Sequence, residues 1–140
     1  MKITLCYSMQ HAEKAKEAQD ILQTNGHTAL IVETNDKFIG LSEVEKEKLK
    51  LHQKYEEDAI TTHYNLIKQS NAILVLNYEK HSIPGYIGGN AFLEMGFAYI
   101  LKKSIYLLNP VPEIPYYKTE IIAMKPIVLN GRLENLLTTN

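Results

Sequence analysis

Apolar residues fall into short continuous runs separated by longer stretches with helical spacing, the pattern of strands covered on both faces and joined by helices. Ile3 to Tyr7 reads as a short buried strand. After Ser8, the positions Ala12, Ala15, Ala18, Ile21 and Leu22 recur at helical spacing until Asn25-Gly26 stops the helix. Thr28 to Val32 gives a second strand and Glu33 to Gly40 a polar loop. Ser42 and Glu45 form a capping box for a long helix predicted to run to Gln69. Its first half is crowded with lysine and glutamate and reads as a solvated face. Its second half carries an apolar stripe through Tyr55, Ala59, Ile60, Leu66 and Ile67.

Ala72 to Leu76 is apolar without alternation, as expected of a central strand. A loop from Asn77 to Asn90 leads into a helix from Ala91 to Leu101, and Ser104 to Leu108 gives a fourth strand. Pro110, Pro112 and Pro115 stiffen the next connection. Ile127 and Val128 suggest a short fifth strand before a terminal helix around Leu133 to Leu137. This alternation predicts an α/β fold, a doubly wound parallel sheet of flavodoxin-like order 2-1-3-4-5. In such a sheet ligands bind beyond the carboxyl ends of the strands, at the switch point between strands 1 and 3. The loops Ser8-Met9-Gln10, Asn77 to Asn90 and Asn109-Pro110 are thereby nominated.

The 140 residues, 45% of them hydrophobic, suit one domain spanning 1–140 with one continuous core. The formal net charge of -1 is dispersed, with no basic stripe for phosphate backbones or anionic lipids, so neither nucleic acid nor a membrane is expected as a partner. Met1 to Leu5 leads into a strand rather than a signal-peptide core, and the expected location is the cytoplasm. Cys6 is the only cysteine and reads as a small core residue. His11, His27, His52 and His81 show no metal-ligand spacing with one another or with Cys6, so no catalytic metal is expected, and the reading of the site given below calls for no cofactor.

The candidate chemistry centres on Glu94, the lone carboxylate of the apolar run from Ala91 to Leu101. Burying an unpaired carboxylate costs several kcal/mol, which points to a use. Aligned peptide dipoles in the first turns of a helix favour its ionised form, suiting a nucleophile better than a proton donor. Gly88-Gly89-Asn90 offers a backbone that a ligand can approach closely, with helix-terminal N–H groups to receive an anion, though the same triplet also suits an ordinary turn. His63 lies within the apolar stripe, so it points at the sheet. An imidazole there can act as general acid or rest as a core histidine bonded to a carbonyl. Ser8 is expected to cap helix 1 beside the pocket. Met9, Gln10, Asn77, Tyr78, Tyr86 and Asn109 complete the candidate ligand contacts.

The arrangement Gly88-Gly89-Asn90-Ala91-Phe92-Leu93-Glu94-Met95-Gly96-Phe97-Ala98, following Asn71 to Asn77, resembles the nucleoside 2′-deoxyribosyltransferase superfamily and its nucleoside-5′-monophosphate N-glycosidase relatives. The specific part is the Glu-x-Gly-x-Ala element at Glu94. The resemblance implies that Glu94 attacks the anomeric carbon and displaces the base, forming a covalent glycosyl-enzyme released to water or to another base. It also implies a small-molecule nucleoside or nucleotide substrate and a homodimer or higher homo-oligomer, for which Val111 to Tyr117 is a candidate contact region. Two positions depart from the family. Gly88 stands where transferases carry an aspartate six residues before the nucleophile, and His63 stands where many members carry the aspartate that handles the leaving base's proton. His63 can replace that second acid. A non-catalytic nucleotide-binding or sensing module is the alternative, favoured by Gly88. An FMN carrier or phospho-receiver is weaker, because Tyr7-Ser8-Met9-Gln10 lacks an acidic cluster and a hydroxyl-rich phosphate loop.

Overall fold

A computed structural model describes residues 1–32 and 37–137. The expected loop residues Glu33 to Asp36 lie outside the described residues. Five strands, β1 (Lys2–Cys6), β2 (Thr28–Leu30), β3 (Ala72–Val75), β4 (Ser104–Leu107) and β5 (Ile127–Val128), form one sheet. All neighbours pair in parallel and the order is β2-β1-β3-β4-β5. Among the described residues six α-helices flank it: α1 (Ala12–Thr24), α2 (Glu43–Glu56), α3 (Ala59–Lys68), α4 (Gly89–Ile100), α5 (Lys118–Ala123) and α6 (Glu134–Leu137). This is the expected flavodoxin-like arrangement.

Alternate strand residues feed two cores. Ile3, Leu5, Ala72, Leu74 and Tyr106 pack with Ala15, Ala18 and Leu22 of α1, whereas Cys6, Ile73, Val75, Ile105 and Leu107 pack with Ile67 of α3 and Met95 and Ala98 of α4. Both faces of β3 are therefore buried, which is why Ala72 to Val75 shows no polar alternation. Strand ends fall slightly short of the expected ones. Val32 lies beyond β2, while Tyr7, Leu76 and Leu108 each sit just past their strands. The ladder still reaches Leu76 and Leu108, whose N–H groups donate to the carbonyls of Cys6 and Val75 at 2.9 and 3.0 Å.

The single long helix expected from Ser42 to Gln69 is two helices. The capping box is present: Glu45 N donates to Ser42 Oγ at 3.2 Å and Ser42 N to Glu45 Oε1 at 3.1 Å. At Asp58 the backbone enters the left-handed region, with φ 50° and ψ 56°, and its carboxylate accepts from Thr61 N at 3.3 Å. Aspartate tolerates that conformation better than most residues and caps the helix it starts. The break interrupts the expected apolar stripe, leaving Tyr55 73% exposed while Ile67 is fully buried. The α3 helix is fastened to β1 by buried polar groups. Thr4 Oγ1 lies 2.5 Å from Ser70 Oγ and donates to the Leu66 carbonyl at 3.3 Å.

The loops after β3 and β4 are clamped together by two asparagines. Asn109 N donates to Asn77 Oδ1 at 2.9 Å, Asn77 Nδ2 donates to the Asn109 carbonyl at 2.9 Å and the Gly85 carbonyl at 3.2 Å, and Asn109 Nδ2 donates to the Asn77 carbonyl at 3.0 Å. Gly85 completes the clamp, with φ +67° and no room for a side chain: a Cβ would lie 2.6 Å from the Pro110 carbonyl oxygen. Helix α4 starts at Gly89, earlier than the expected Ala91, with Gly88 as N-cap. Tyr117 secures this start, its hydroxyl donating to the Ile87 carbonyl and its ring stacking on Phe92 at 4.5 Å. Helix α5 was not expected, because its six residues give too short a pattern to distinguish from a loop.

Among the described residues, no helix is long and apolar enough to cross a membrane. Gly85→Ala combines a left-handed backbone with a clash against main chain, and should lower the unfolding free energy by about 1–3 kcal/mol in urea denaturation.

Candidate active site

Beyond the carboxyl ends of β1 and β3 lie two adjoining cavities that share Tyr7, Met9, Lys50, Lys54 and Asn90. One is a slot beside Glu94 and His63, walled by Ile60, Leu93 and Phe97. The other is wider, about 360 Å³, within the usual range for small-molecule sites. It runs along Ser8, Asn77, Tyr78, Lys80 and the first residues of α4.

Glu94 lies in the second turn of α4 and is only 5% exposed. Its two oxygens differ. Oε1 lies 3.3 Å from Nδ1 of His63, which α3 presents across the slot. Oε2 is buried and, among the described residues, has no hydrogen-bond partner. Beneath the pair, at the end of β1, sits the buried Cys6 thiol. Burial, then the charge of Glu94 and a hydrogen bond to its side chain, push the thiol pKa well above the ordinary value. Burial alone would lower the pKa of His63, but the hydrogen bond and charge of Glu94 outweigh it and raise the imidazole above its ordinary value. His63 is thus not a core histidine bonded to a carbonyl.

The wider cavity is cationic. Burial and then nearby Lys50 lower the pKa of Lys80, against the opposing pull of Glu47 and Glu43. Burial lowers His11, followed by the charges of Lys14, Lys80 and Lys46. His11 Nε2 is buried without a partner among the described residues. The expected cap at Ser8 is absent, because Met9–His11 winds as a 3-10 turn that the Ser8 carbonyl closes by accepting from His11 N at 2.8 Å. The Ser8 side chain makes no cap bond and instead accepts from Lys80 Nζ at 3.2 Å. Gly88, Gly89 and Asn90 bring the N-terminus of α4 to this cavity. A Cβ on Gly88 would sit 3.3 Å from the Tyr86 ring, so that ring fills the space beside the residue.

Of the residues nominated from sequence, Glu94, His63, Ser8, Met9, Asn77, Tyr78, Gly88, Gly89 and Asn90 are brought together around the two cavities. Gln10 and Asn109 line neither. Asn77 reaches the wider cavity, yet its side chain is committed to the loop clamp with Asn109. The half of α2 expected to be merely solvated contributes Lys50, Gln53 and Lys54, with Lys46 and Gln53 both buried. Their signal was obscured because an unbroken helix would not fold its charged half back over the slot. Within Val111 to Tyr117, Pro112 and Ile114 are buried, whereas Glu113, Pro115 and Tyr116 are exposed, Tyr116 at 89%. Among the described residues, no group of three His, Cys, Asp or Glu side chains could hold a metal.

No family model and no curated protein matches the chain. The structure is similar to that of a CMP N-glycosidase, BcmB, from Clostridium botulinum, with a TM-score of 0.56 and 15% identity over 98% of this chain and 94% of that one. At that identity the likeness shows a shared fold across the whole domain.

The origin of the His63 shift can be tested by titrating its ring protons by NMR. The pKa should lie above 6.5 in the native protein. In Glu94→Gln, where burial acts without the charge, it should fall below 6.5; a value unmoved by the substitution would contradict the coupling.

Proposed function

We propose that this protein cleaves the N-glycosidic bond of a nucleoside or nucleoside 5′-monophosphate, with Glu94 as nucleophile and His63 as proton donor. The observation that carries the reading is the asymmetry of Glu94, a buried carboxylate that lines a cavity with one oxygen held by His63 and the other buried without a partner among the described residues. The fold shared with a CMP N-glycosidase supports it.

The steps follow from the pairing. Glu94 Oε2 attacks the anomeric carbon, the carbon–nitrogen bond breaks, and its electron pair leaves with the base. As Glu94 becomes a neutral ester, the charge that raised the His63 pKa disappears. The imidazolium becomes a stronger acid when the departing nitrogen needs a proton. Neutral His63 can then take a proton from water or from an incoming base, which displaces Glu94 from the sugar. Lys80, Ser8 and the N-terminus of α4 supply a cationic setting for the sugar's 5′ side, which suits a phosphate. No cofactor takes part, and a homo-oligomer remains part of the proposal.

Gly88, standing at a family acid position and packed by Tyr86, favours the second reading of a module that binds nucleotides without cleaving them. The two separate in one assay, in which ribo- and deoxyribonucleosides and their 5′-monophosphates are incubated with and without an acceptor base and free base is followed by chromatography. The glycosidase reading expects base release that Glu94→Ala abolishes, with new nucleoside only if transfer occurs. Binding without release would favour the module. His63→Gln should lower kcat by about 10²–10⁴. Because the protonated imidazole donates, kcat/KM should fall as pH rises through the His63 pKa, with that limb centred above 6.5. In His63→Gln the alkaline limb should vanish.

A further inference from the structure

We propose that Gln53 is a specificity-determining residue whose side-chain amide donates a hydrogen bond to an acceptor on the leaving base. The inference rests on the glycosidase reading and assigns the edge of the base to a residue outside the Glu94–His63 pair.

Helix α2 buries two polar residues on one face, two turns apart, and they differ in one respect. Lys46 is satisfied, with Nζ 3.3 Å from Glu13 Oε2 and 3.3 Å from the Gln10 carbonyl. Gln53 is 7% exposed, and its Nε2 is buried with no partner among the described residues. A buried amide donor without an acceptor costs free energy in the empty protein. Gln53 lines the slot that also holds His63 and Glu94. The same helix therefore leaves a buried amide donor unsatisfied on a residue that lines the slot.

Met9, Ile60, Leu93 and Phe97 line the slot with apolar surface, against which the faces of a planar base can pack, and Gln53 lines it beside them. With Glu94 Oε2 on the anomeric carbon and His63 on the departing base, that base lies in the slot; the sugar's 5′ side extends into the cationic cavity. A donor requires a carbonyl oxygen or an unprotonated ring nitrogen. As the bond breaks, the base gains electron density at those atoms, so this bond strengthens in the transition state.

The test uses Gln53→Met, which keeps length and bulk and removes the donor. Thermal unfolding of the otherwise native protein should give an equal or higher Tm, since no protein hydrogen bond is lost. A fall of several degrees would assign Gln53 a structural role and overturn the proposal. Calorimetric titration in a Glu94→Ala background, with the four common ribonucleoside 5′-monophosphates as probes, reads binding without turnover. The nucleotides that bind should bind roughly 10- to 100-fold more weakly once Gln53→Met is added. Gln53→Glu, which turns the donor into an acceptor, should weaken them at least as much. For a nucleotide bound, the analogue with CH in place of the contacted ring nitrogen should bind the Glu94→Ala protein as weakly as the parent binds the double variant. Unchanged affinity in both Gln53 variants, alongside base release by the native protein, would overturn the Gln53 assignment alone. No binding of any of the four and no base release would overturn the glycosidase reading and this proposal together.

Discussion

The candidate site depends on one electrostatic constraint: a carboxylate is buried against the sheet and paired with an imidazole. Glu94 is 5% exposed, on the same helix as Met95 and Ala98, which pack with Ile73 and Val75. His63 meets only one of its oxygens. A fully satisfied buried pair would be a structural feature with nothing left to give. Leaving Oε2 without a partner among the described residues makes the pair unfavourable in the empty protein. The same coupling raises the His63 pKa against the opposing effect of burial.

The rest of the fold serves to hold that contact. Glu94 and His63 come from two helices on one face of the sheet, and each helix is tied down separately. Thr4 and Ser70 anchor the end of α3 to β1. The Tyr117 hydroxyl on the Ile87 carbonyl and the Asn77–Asn109 clamp anchor the approach to α4. Asp58, in its left-handed conformation, ends α2 so that its charged face covers the slot instead of continuing into solvent. Polar groups that look like ligand contacts in the sequence are thus partly structural, and a helix that looks merely solvated supplies a wall of the site.

How much was legible in the sequence follows from the range of each interaction. The sheet order could be read because β3 is covered on both faces and its neighbours carry similar apolar runs. Glu94 and His63 stood out because each is polar within an apolar helical pattern, a local signal. Gln53 gave none, since a glutamine among lysines and glutamates is ordinary until Asp58 turns the helix. Asn77 and Asn109 satisfy each other across 32 residues, a pairing that no local pattern records. The Ser8 cap failed for a similar reason: Lys80, 72 residues away, takes the hydroxyl.

The central claim is that Glu94 forms a bond to the sugar, and trapping that bond tests it most directly. Nucleosides and 5′-monophosphates bearing fluorine at the sugar 2′ position in the arabino configuration would slow release of the glycosyl group, and intact-protein mass spectrometry would follow the chain. The account predicts a mass increase of one glycosyl group as base appears, mapping to the peptide that contains Glu94 and absent from Glu94→Ala. Stoichiometric base release with the protein mass unchanged, or a label on any other residue, would contradict it.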